Sequence, residues 1–209
     1  SLRALFQSGN LKLANQIVEY LRKHGTVARI LWVSNLREES IKVRVLEYFK
    51  NERVKAVITS TSFASVEFNE ASLGAPLWDN LNVPVFQLIT SSIQRDEWLN
   101  SKRGLTPLDL SMQIVLPELD GRITTRPCAF KKIEDVDKNL STIIQKLEPD
   151  NINLEWLALH VKSWIDLQEV NPKNKKVTLM LANYPVKNGR MANGVGLDTP
   201  ESTVEILHW

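Results

Sequence analysis

Two carboxylates lie two residues apart in the segment Pro117–Arg122, which reads PELDGR. The apolar run Ile114–Leu116 before it has the composition of a short strand that ends at the following proline. Glu118 and Asp120 would then project from an exposed loop at the carboxyl end of that strand, with Gly121 permitting the turn. Carboxylates in such a place can hold a divalent cation through hard oxygen ligands or accept protons from a neighbouring group.

A structural interpretation of the same segment stays open. In this alternative Asp120 hydrogen-bonds its own backbone, as aspartates in turns commonly do, and Arg122 pairs with a carboxylate on the surface. The residue types therefore leave two alternatives, a site that handles cations or protons and an acidic surface turn.

A second candidate binding segment lies near the end of the chain, where the apolar run Val177–Ala182 predicts a buried strand. The loop after this run contains Gly189, Gly194 and Gly196, and Thr199 can cap a helix that follows. Free N–H groups in a strand, loop and helix of this kind can bind a phosphate or carboxylate. The fingerprints GxxxxGK[ST] and GxGxxG are both absent from the sequence, so a flexible connector is the alternative.

The histidines and the cysteine form no metal-binding pattern in the sequence. His24, His160 and His208 have no partner at ligand spacing, and a lone histidine is more often structural than a ligand. His160 could still meet Glu118 in space. Cys128 is interpreted as a small buried hydrophobe, and a single cysteine excludes an internal disulfide.

Hydrophobic periodicity predicts the elements that position these groups. The first elements are a helix at 11–23, a strand at 28–34, a helix at 38–53 and strands at 54–59 and 83–89. This alternation is typical of a mostly parallel sheet with helices on both faces, so we expect an α/β fold of Rossmann-like or flavodoxin-like type. Hydroxyl residues at 60–62 and 90–92 follow two of these strands, where they could contact a ligand or cap the next helix.

The pattern of the remaining chain is less regular. Residues 63–82 are predicted to form a long loop, either beside a site or on a surface between domains. A short helix is predicted at 96–100, and a second helix is capped by Thr106 with Pro107 at its first position. A third helix is predicted over 133–147, and its apolar face consists of Val136, Leu140, Ile143, Ile144 and Leu147. A longer fourth helix has its core residues at Leu154, Leu157, Val161 and Ile165.

Composition limits the classes of function. The chain has 209 residues, 43% of them hydrophobic, which is enough for one sizeable core. Its net charge of +2 gives no field that would favour nucleic acid or an anionic membrane surface. The sequence contains no signal-like N-terminus and no run of 18 apolar residues, and with one cysteine it suits a reducing cytoplasm.

Two long segments resemble a known family. LANYPVKNGRMANGVGLDTPESTVEIL near the end of the chain and GLTPLDLSMQIVLPELDGRITTRPCAFK at 104–131 are similar to segments of the large, N-type subunit of aerobic cobaltochelatase, whose broader family includes the H subunit of magnesium chelatase. The run PVFQLI at 84–89 is similar too, so the resemblance covers roughly residues 55 to 209.

The resemblance implies that the chain is a fragment of a very large, cytoplasmic, tetrapyrrole-binding subunit. Such a subunit inserts cobalt, its substrate ion, into a corrin precursor of the hydrogenobyrinic acid a,c-diamide type in cobalamin biosynthesis, while separate AAA+ partner subunits hydrolyse the ATP. The fragment alone is expected to be inactive and to bind no ATP, nucleic acid or membrane. The alternatives are a magnesium chelatase H subunit, a noncatalytic scaffold that docks the ATPase subunits, and a sensor or periplasmic-binding-like module.

The resemblance also suggests roles for particular residues. Glu118 and Asp120 are the predicted catalytic groups, because pyrrolic protons must leave as the metal enters, and Glu118 is also a predicted metal ligand. Apart from the resemblance, His160 is predicted as the second metal ligand if the fold brings it to Glu118. Arg122 and Arg126 are predicted to bind acidic side groups of the macrocycle. Loop residues predicted to contact the substrate are Asn188, Gly189, Arg190, Asn193, Gly194 and Gly196. The magnesium branch departs from DGR at Arg122, which makes this arginine a candidate for substrate discrimination.

Two features complete the expectations. Trp156 and Trp164 are interpreted as packing residues, with a face that stacks a tetrapyrrole as the alternative. The predicted domains are an α/β domain at 1–150, a long helix and linker at 151–172, and at 173–209 a strand, glycine-rich loop and helix start that complete the sheet or begin a further domain.

Overall fold

The computed structural model describes residues 3–36, 38–62, 68–69, 72–73, 77–79, 81–139, 141–182, 192 and 196–208. The chain divides into two compact units, Ser1–Glu169 and Val170–Trp209. The first unit contains the central sheet. It also contains the helix Asn151–Glu169, which makes up most of the separate helix and linker that the sequence predicts at 151–172.

The elements of the first unit come in runs of helices and runs of strands along the chain. Its helices are α1 (Arg3–Gln7), α2 (Lys12–Lys23), α3 (Glu39–Asn51), α4 (Arg95–Asn100), α5 (Pro107–Leu110), α6 (Leu116–Glu118) and α7 (Asn151–Glu169), with a π-helical stretch at Ser111–Val115 between α5 and α6. Its strands are β1 (Val57–Thr59), β2 (Phe68–Asn69), β3 (Ser72–Leu73), β4 (Val85–Ser91), β5 (Ile123–Asp137) and β6 (Thr142–Pro149). The second unit contains a 3₁₀ helix at Pro172–Asn174 and α8 (Thr199–His208).

The central sheet has four strands in the order β1-β4-β5-β6. β4 is parallel to both β1 and β5, and β6 pairs antiparallel with β5 at the edge. All but one of the residues of β4 are buried, as expected for a central parallel strand whose two faces are both covered. The prediction of an α/β fold with a mostly parallel sheet is confirmed.

Helices cover the sheet on both faces. On one face, which we call the α7 face, Phe86 and Leu88 pack with Leu157 of α7 and Leu21 of α2. Val85 and Gln87 alternate with these residues along β4 and therefore point to the opposite face. There Val85 packs in a second cluster with Leu46 and Phe49 of α3, so we call this the α3 face.

The predicted helix over 133–147 is wrong. β5 continues through this region to Asp137, and β6 runs antiparallel to it from Thr142, with Val136 opposite Ile143. The apolar residues of the segment match a helical spacing, but several are β-branched, and β-branched residues favour the extended backbone of a hairpin. Val136 and Ile143 are each 51% exposed, so this hairpin extends beyond the buried part of the sheet.

The predicted strand at Ile114–Leu116 is also wrong. Thr106 caps α5 through its side chain, with Pro107 at the first position, and the helix then continues through the π-helical stretch into α6. In the π-helical stretch the N–H of Leu116 bonds the carbonyl of Ser111, five residues earlier. A short apolar run does not by itself distinguish a strand from a buried helical turn, and here the helix start upstream decides.

Two further predicted strands do not form. Of the segment 28–34, only Val33 makes a strand-type bridge. Residues 175–182 are in neither helix nor strand, and Val177 and Met180 are 88% and 87% exposed. A strand requires a partner for its backbone groups, and the described residues provide none for 177–182.

The helices predicted at 11–23, 38–53, 96–100 and from Leu154 onward are confirmed as α2, α3, α4 and α7. At α8 the cap differs from the prediction. The helix begins at Thr199, and the Asp198 side chain accepts a hydrogen bond of 3.1 Å from the N–H of Glu201. An aspartate at this position is as good a cap as the predicted threonine.

Candidate functional site

The segment PELDGR, here called the PELDGR turn (residues 117–122), is a helix ending of the Schellman type. The N–H of Arg122 donates to the carbonyl of Pro117 at 3.3 Å, and the N–H of Gly121 donates to the carbonyl of Glu118 at 2.9 Å. Gly121 has φ +67°, the left-handed backbone that this motif needs and that glycine adopts without steric cost. The spacing of the motif therefore reflects a helix that ends abruptly and leads directly into β5.

Asp120 and Arg122 form an ion pair inside the protein. Arg122 donates from Nε and from a terminal nitrogen to Oδ2 of Asp120, at 3.0 and 2.5 Å. Both side chains are 0% exposed. The structural alternative therefore predicts correctly that Arg122 pairs with a carboxylate. It places that pair at the surface, however, whereas the pair is buried inside the protein. In this arrangement Asp120 receives hydrogen bonds from Arg122 and neither side chain faces solvent.

The guanidinium of Arg122 also contacts the strands on either side. Its other terminal nitrogen donates to the carbonyl of Thr61, just beyond β1, at 2.7 Å, and to Oε1 of Gln87, in β4, at 2.9 Å. The ring of Trp78 lies 5.7 Å from the guanidinium carbon. Burial lowers the pKa of Arg122 and the charge of Asp120 opposes that effect. An arginine nevertheless stays protonated in proteins, so the pair is ionic.

Neighbouring polar groups complete this buried network. Nε2 of Gln87 donates to the carbonyl of Thr61 at 3.2 Å, and the hydroxyls of Thr59 and Thr61 lie 2.9 Å apart. The hydroxyl of Thr125 donates to the carbonyl of Gln87 at 2.5 Å. Sequence reasoning did not identify Gln87 or Thr125. The available signal was a glutamine inside an otherwise apolar strand, since a buried polar side chain needs hydrogen-bond partners.

Glu118 lies on the last turn of α6 and is exposed. The hydroxyl of Thr124 donates to Oε1 of Glu118 at 3.3 Å, and among the residues that the structure describes it is the one hydrogen-bond partner of this side chain. Thr124 is opposite Gln87 in the sheet, so Glu118 belongs to the α3 face. The carboxylate is therefore exposed to solvent beside a turn that backbone hydrogen bonds and the Arg122 side chain hold in place.

A second polar cluster fixes the carboxyl end of β4. β1 ends at Thr59, level with Gln87, and β4 continues beyond it. Gln113, in the π-helical stretch, then takes the place of a strand: its Oε1 accepts from the N–H of Thr90 at 2.7 Å and its Nε2 donates to the carbonyl of Thr90 at 2.5 Å.

Asp109 extends this cluster by one residue. Its Oδ2 accepts from the N–H of Ser92 at 2.8 Å and from the hydroxyl of Ser92 at 2.7 Å. Of the hydroxyl residues predicted at the strand ends, Thr90 and Ser92 thus bind side chains of the helical segment 107–118. An open cavity of about 500 Å³ lies nearby, between α4 and the start of α5, and none of the predicted site residues lines it.

Arg126 is in a different environment from Arg122, although the two arginines are close in sequence where the chain passes from the end of α6 into β5. Its guanidinium carbon lies 4.4 Å from the ring centroid of Trp156, a residue of α7. Trp156 in turn stacks on His160, with centroids 4.7 Å apart and planes 15° apart. His160 also meets the edge of Phe86 at 5.6 Å. Arg126, Trp156 and His160 therefore form a stack on the α7 face.

The predicted pair of metal ligands is not brought together. His160 packs against Phe86 on the α7 face, whereas Glu118 belongs to the α3 face, so the sheet separates them. Within the described part of the chain, no group of three or more His, Cys, Asp or Glu side chains is placed to hold a metal ion. The histidine has an aromatic environment that explains it as a packing residue.

The remaining predictions concern the glycine-rich loop and the cysteine. Asn188, Gly189, Arg190, Asn193 and Gly194 lie outside the described residues. Gly196 is exposed with φ +76°, the left-handed backbone expected for this loop. Cys128 is 0% exposed, and burial raises the pKa of its thiol to about 12, which agrees with an inert core residue.

Among the described helices none is long and apolar enough to cross a membrane.

Comparisons with known proteins cover the whole chain. The family model described as CobN/Magnesium Chelatase matches residues 1–209, which is more of the chain than the sequence resemblance at 55–209. The aerobic cobaltochelatase subunit CobN of Sinorhizobium sp is 32% identical over 98% of this chain. The chloroplastic magnesium-chelatase subunit ChlH of Oryza sativa subsp. indica is 27% identical over 74% of it.

A solved structure has the same fold. The catalytic subunit of cobaltochelatase from Mycobacterium tuberculosis matches with a TM-score of 0.78 and 27% identity over 99% of this chain. The chain spans 16% of the length of the Sinorhizobium relative and 17% of the Mycobacterium structure.

Proposed function

The chain belongs to the CobN/Magnesium Chelatase family, and we propose that it is a segment of the tetrapyrrole-binding large subunit of an ATP-dependent cobaltochelatase. In this proposal the whole subunit inserts cobalt, as substrate, into a corrin precursor of the hydrogenobyrinic acid a,c-diamide type in cobalamin biosynthesis. The similarity to subunits named for cobaltochelatase, over nearly the whole chain, supports cobalt over magnesium.

Insertion of a divalent metal into a tetrapyrrole requires that the inner N–H protons of the ring leave while the cation loses water. A carboxylate beside the ring can accept a proton and can bind the arriving cation through oxygen. Glu118 is suited to this role because its carboxylate is exposed while the turn beneath it is rigid. This contrast between a solvent-facing acid and a fixed backbone is the observation that carries the proposal.

Asp120 has a different role in this proposal from the one expected from the sequence. Its Oδ2 accepts hydrogen bonds from the buried Arg122, so its charge is balanced inside the protein. The proton acceptor is then Glu118 alone, and Asp120 supports the turn.

The energy for insertion is proposed to come from partner proteins. The sequence contains neither GxxxxGK[ST] nor GxGxxG, which agrees with ATP hydrolysis by separate AAA+ subunits that assemble with the large subunit. Tetrapyrrole and these ATPase subunits are the partners that the proposal requires.

The test is Glu118→Gln in the full-length large subunit, assayed for cobalt insertion with its ATPase partners. We expect the insertion rate to fall by about 10² or more, a typical contribution of a general base, with tetrapyrrole affinity unchanged. Glu19→Gln, which neutralises an exposed carboxylate on α2, is the matched control and should keep full activity. Full activity of Glu118→Gln would instead favour a noncatalytic segment that docks the ATPase subunits.

The second candidate function is magnesium insertion by an H-type subunit, because the family also includes magnesium chelatases and one of them matches 74% of the chain. A visible-absorbance titration of the 209-residue chain and of its full-length parent with a cobalt-free corrin precursor and with protoporphyrin separates the two. Preference for protoporphyrin by both proteins would overturn the cobalt assignment. Binding by the parent alone would mean that this segment forms only one wall of the pocket.

A further inference from the structure

The PELDGR turn is held at two levels, by its own backbone bonds and by the Arg122 side chain. We propose that Arg122 is a positioning residue, which fixes the direction of the Glu118 carboxylate by attaching this turn to β4 and to the chain just beyond β1. The inference rests on the proposed function, because it gives Arg122 its role through Glu118. It also assigns Arg122 a role other than anchoring an acidic group of the macrocycle.

The guanidinium of Arg122 joins three separate segments of the chain. Through its planar fork, Arg122 donates to Asp120 in the turn, to Thr61 after β1 and to Gln87 in β4. A lysine in this position would keep the charge, but its single ammonium on a flexible stem does not reproduce the fork. The geometry therefore depends on arginine and not simply on a positive charge.

Backbone hydrogen bonds of the turn connect Arg122 to Glu118. The Arg122 N–H bonds the carbonyl of Pro117, directly before Glu118, and the Gly121 N–H bonds the carbonyl of Glu118 itself. A shift of Arg122 therefore moves the peptide groups on both sides of the Glu118 side chain. Displacement of a catalytic group by about 1 Å can reduce a rate about 10²-fold, so such a shift is large enough to matter.

The burial of Arg122 favours a positioning role over substrate binding. The Arg122 side chain is 0% exposed, and the groups that it contacts are all within the protein. A macrocycle carboxylate would have to displace Asp120, which already accepts two hydrogen bonds from the same guanidinium. A positioning role agrees with this burial, and an anchoring role does not.

The test uses Arg122→Lys in the full-length subunit with its ATPase partners, since this variant retains a positive charge beside Asp120. We expect kcat for cobalt insertion to fall about 10-fold to 100-fold while the tetrapyrrole Kd changes by less than about twofold. Arg95→Lys is the matched control, because Arg95 also pairs with a buried carboxylate, Asp150, but away from the turn; it should leave kcat unchanged. A tetrapyrrole Kd weakened about tenfold at constant kcat would overturn positioning and identify an anchor.

A double variant shows whether Arg122 acts through Glu118. In the Glu118→Gln background, Arg122→Lys should cause no further loss of the residual insertion rate, because the group that it positions is already gone. If the losses of insertion rate in the two single variants multiply in the double variant, the positioning role of Arg122 is contradicted while the proposed function stays intact. A Glu118→Gln variant with full activity would refute the proposed function itself, so the two failures are distinguishable. Thermal unfolding of each variant checks that the losses do not arise from unfolded protein.

Discussion

The two faces of the central sheet are packed with different chemistry. The α7 face is an apolar core, in which Phe86, Leu154 and Leu157 are each 1% exposed or less. The α3 face contains, beside its own apolar cluster, the buried ion pair of Asp120 and Arg122 with its polar partners. Apolar contacts tolerate small changes of shape, whereas a buried charged network is stable only when every hydrogen bond is made.

This difference suggests why the candidate catalytic carboxylate belongs to the α3 face. Apolar burial stabilises the fold without fixing a direction, but hydrogen bonds of Arg122 to three segments fix the orientation of the turn that carries Glu118. Arg126, four residues further along, has a stacked and exposed guanidinium on the other face. Two arginines that appear equivalent in the sequence thus have separate physical roles.

The largest expected effect is the loss of the buried pair. Arg122→Met removes the guanidinium that pairs with the buried Asp120 carboxylate, and removal of one partner of such a pair costs about 3–5 kcal/mol of unfolding free energy. Urea unfolding of the 209-residue chain, followed by tryptophan fluorescence, measures the change. The double variant Asp120→Leu with Arg122→Met removes both charges and should recover part of the loss. A loss below about 1 kcal/mol in the single variant would indicate a solvated pair and weaken the contrast between the faces.

The sequence predicts the parts of this fold that depend on local periodicity. α2, α3 and α7 were identified because their apolar residues repeat at helical spacing, and β4 because it is an apolar run between turns. Periodicity failed at the β5–β6 hairpin, where residues such as Val136 and Ile143 fit both a helical and a strand pattern. There the pairing with a neighbouring strand decides, and that pairing is a tertiary interaction.

The candidate site was only partly predictable for the same reason. The turn at Gly121 and the two carboxylates are visible in the sequence, but the burial of Asp120 and Arg122 is not. Arg122 meets Gln87 and Thr61, which are 35 and 61 residues away along the chain, so only the folded sheet brings them together. The separation of Glu118 and His160 likewise follows from the side of the sheet on which each packs.

The next effect concerns the second polar cluster. Gln113→Leu removes the side-chain amide that pairs with the N–H and carbonyl of Thr90, and leaves those backbone groups unsatisfied at the end of β4. An unsatisfied buried polar group costs about 1–3 kcal/mol, so the variant should lose that much unfolding free energy. The matched control Gln145→Leu changes an exposed glutamine of β6 and should stay within about 0.5 kcal/mol. Equal losses of unfolding free energy in both variants would contradict the interpretation that the Gln113 side chain pairs with β4 where a neighbouring strand would otherwise lie.

A smaller, pH-dependent effect is expected at the start of α7. Burial alone would raise the pKa of Asp150, but hydrogen bonds from Arg95 and the N–H of Asn153 outweigh it and hold this pKa below its usual value of 3.8. The stabilisation is therefore complete above about pH 4 and is lost as the pH falls through the lowered pKa. Asp150→Asn keeps a good helix cap without the charge, so its unfolding free energy should fall less steeply with acid. If the unfolding free energies of wild type and variant fall equally steeply below pH 4, the assignment of this pH dependence to Asp150 is contradicted.

The smallest expected effect is at Arg126, and it tests the comparison of the two arginines most directly. Arg126→Ala removes a guanidinium that stacks on Trp156 at 4.4 Å and has no ion-pair partner among the described residues. An exposed cation–π contact contributes about 0.5–1 kcal/mol, so urea unfolding should show a loss of that size, against no loss for Arg22→Ala on the exposed side of α2.

We also expect tetrapyrrole affinity of the full-length Arg126→Ala variant to stay unchanged, because Glu118 belongs to the opposite face of the sheet. An affinity loss of about tenfold, equivalent to about 1.4 kcal/mol, would instead make Arg126 a binding residue. In that case the macrocycle would have to contact both faces of the sheet, and the Arg122 network would position only one side of its pocket.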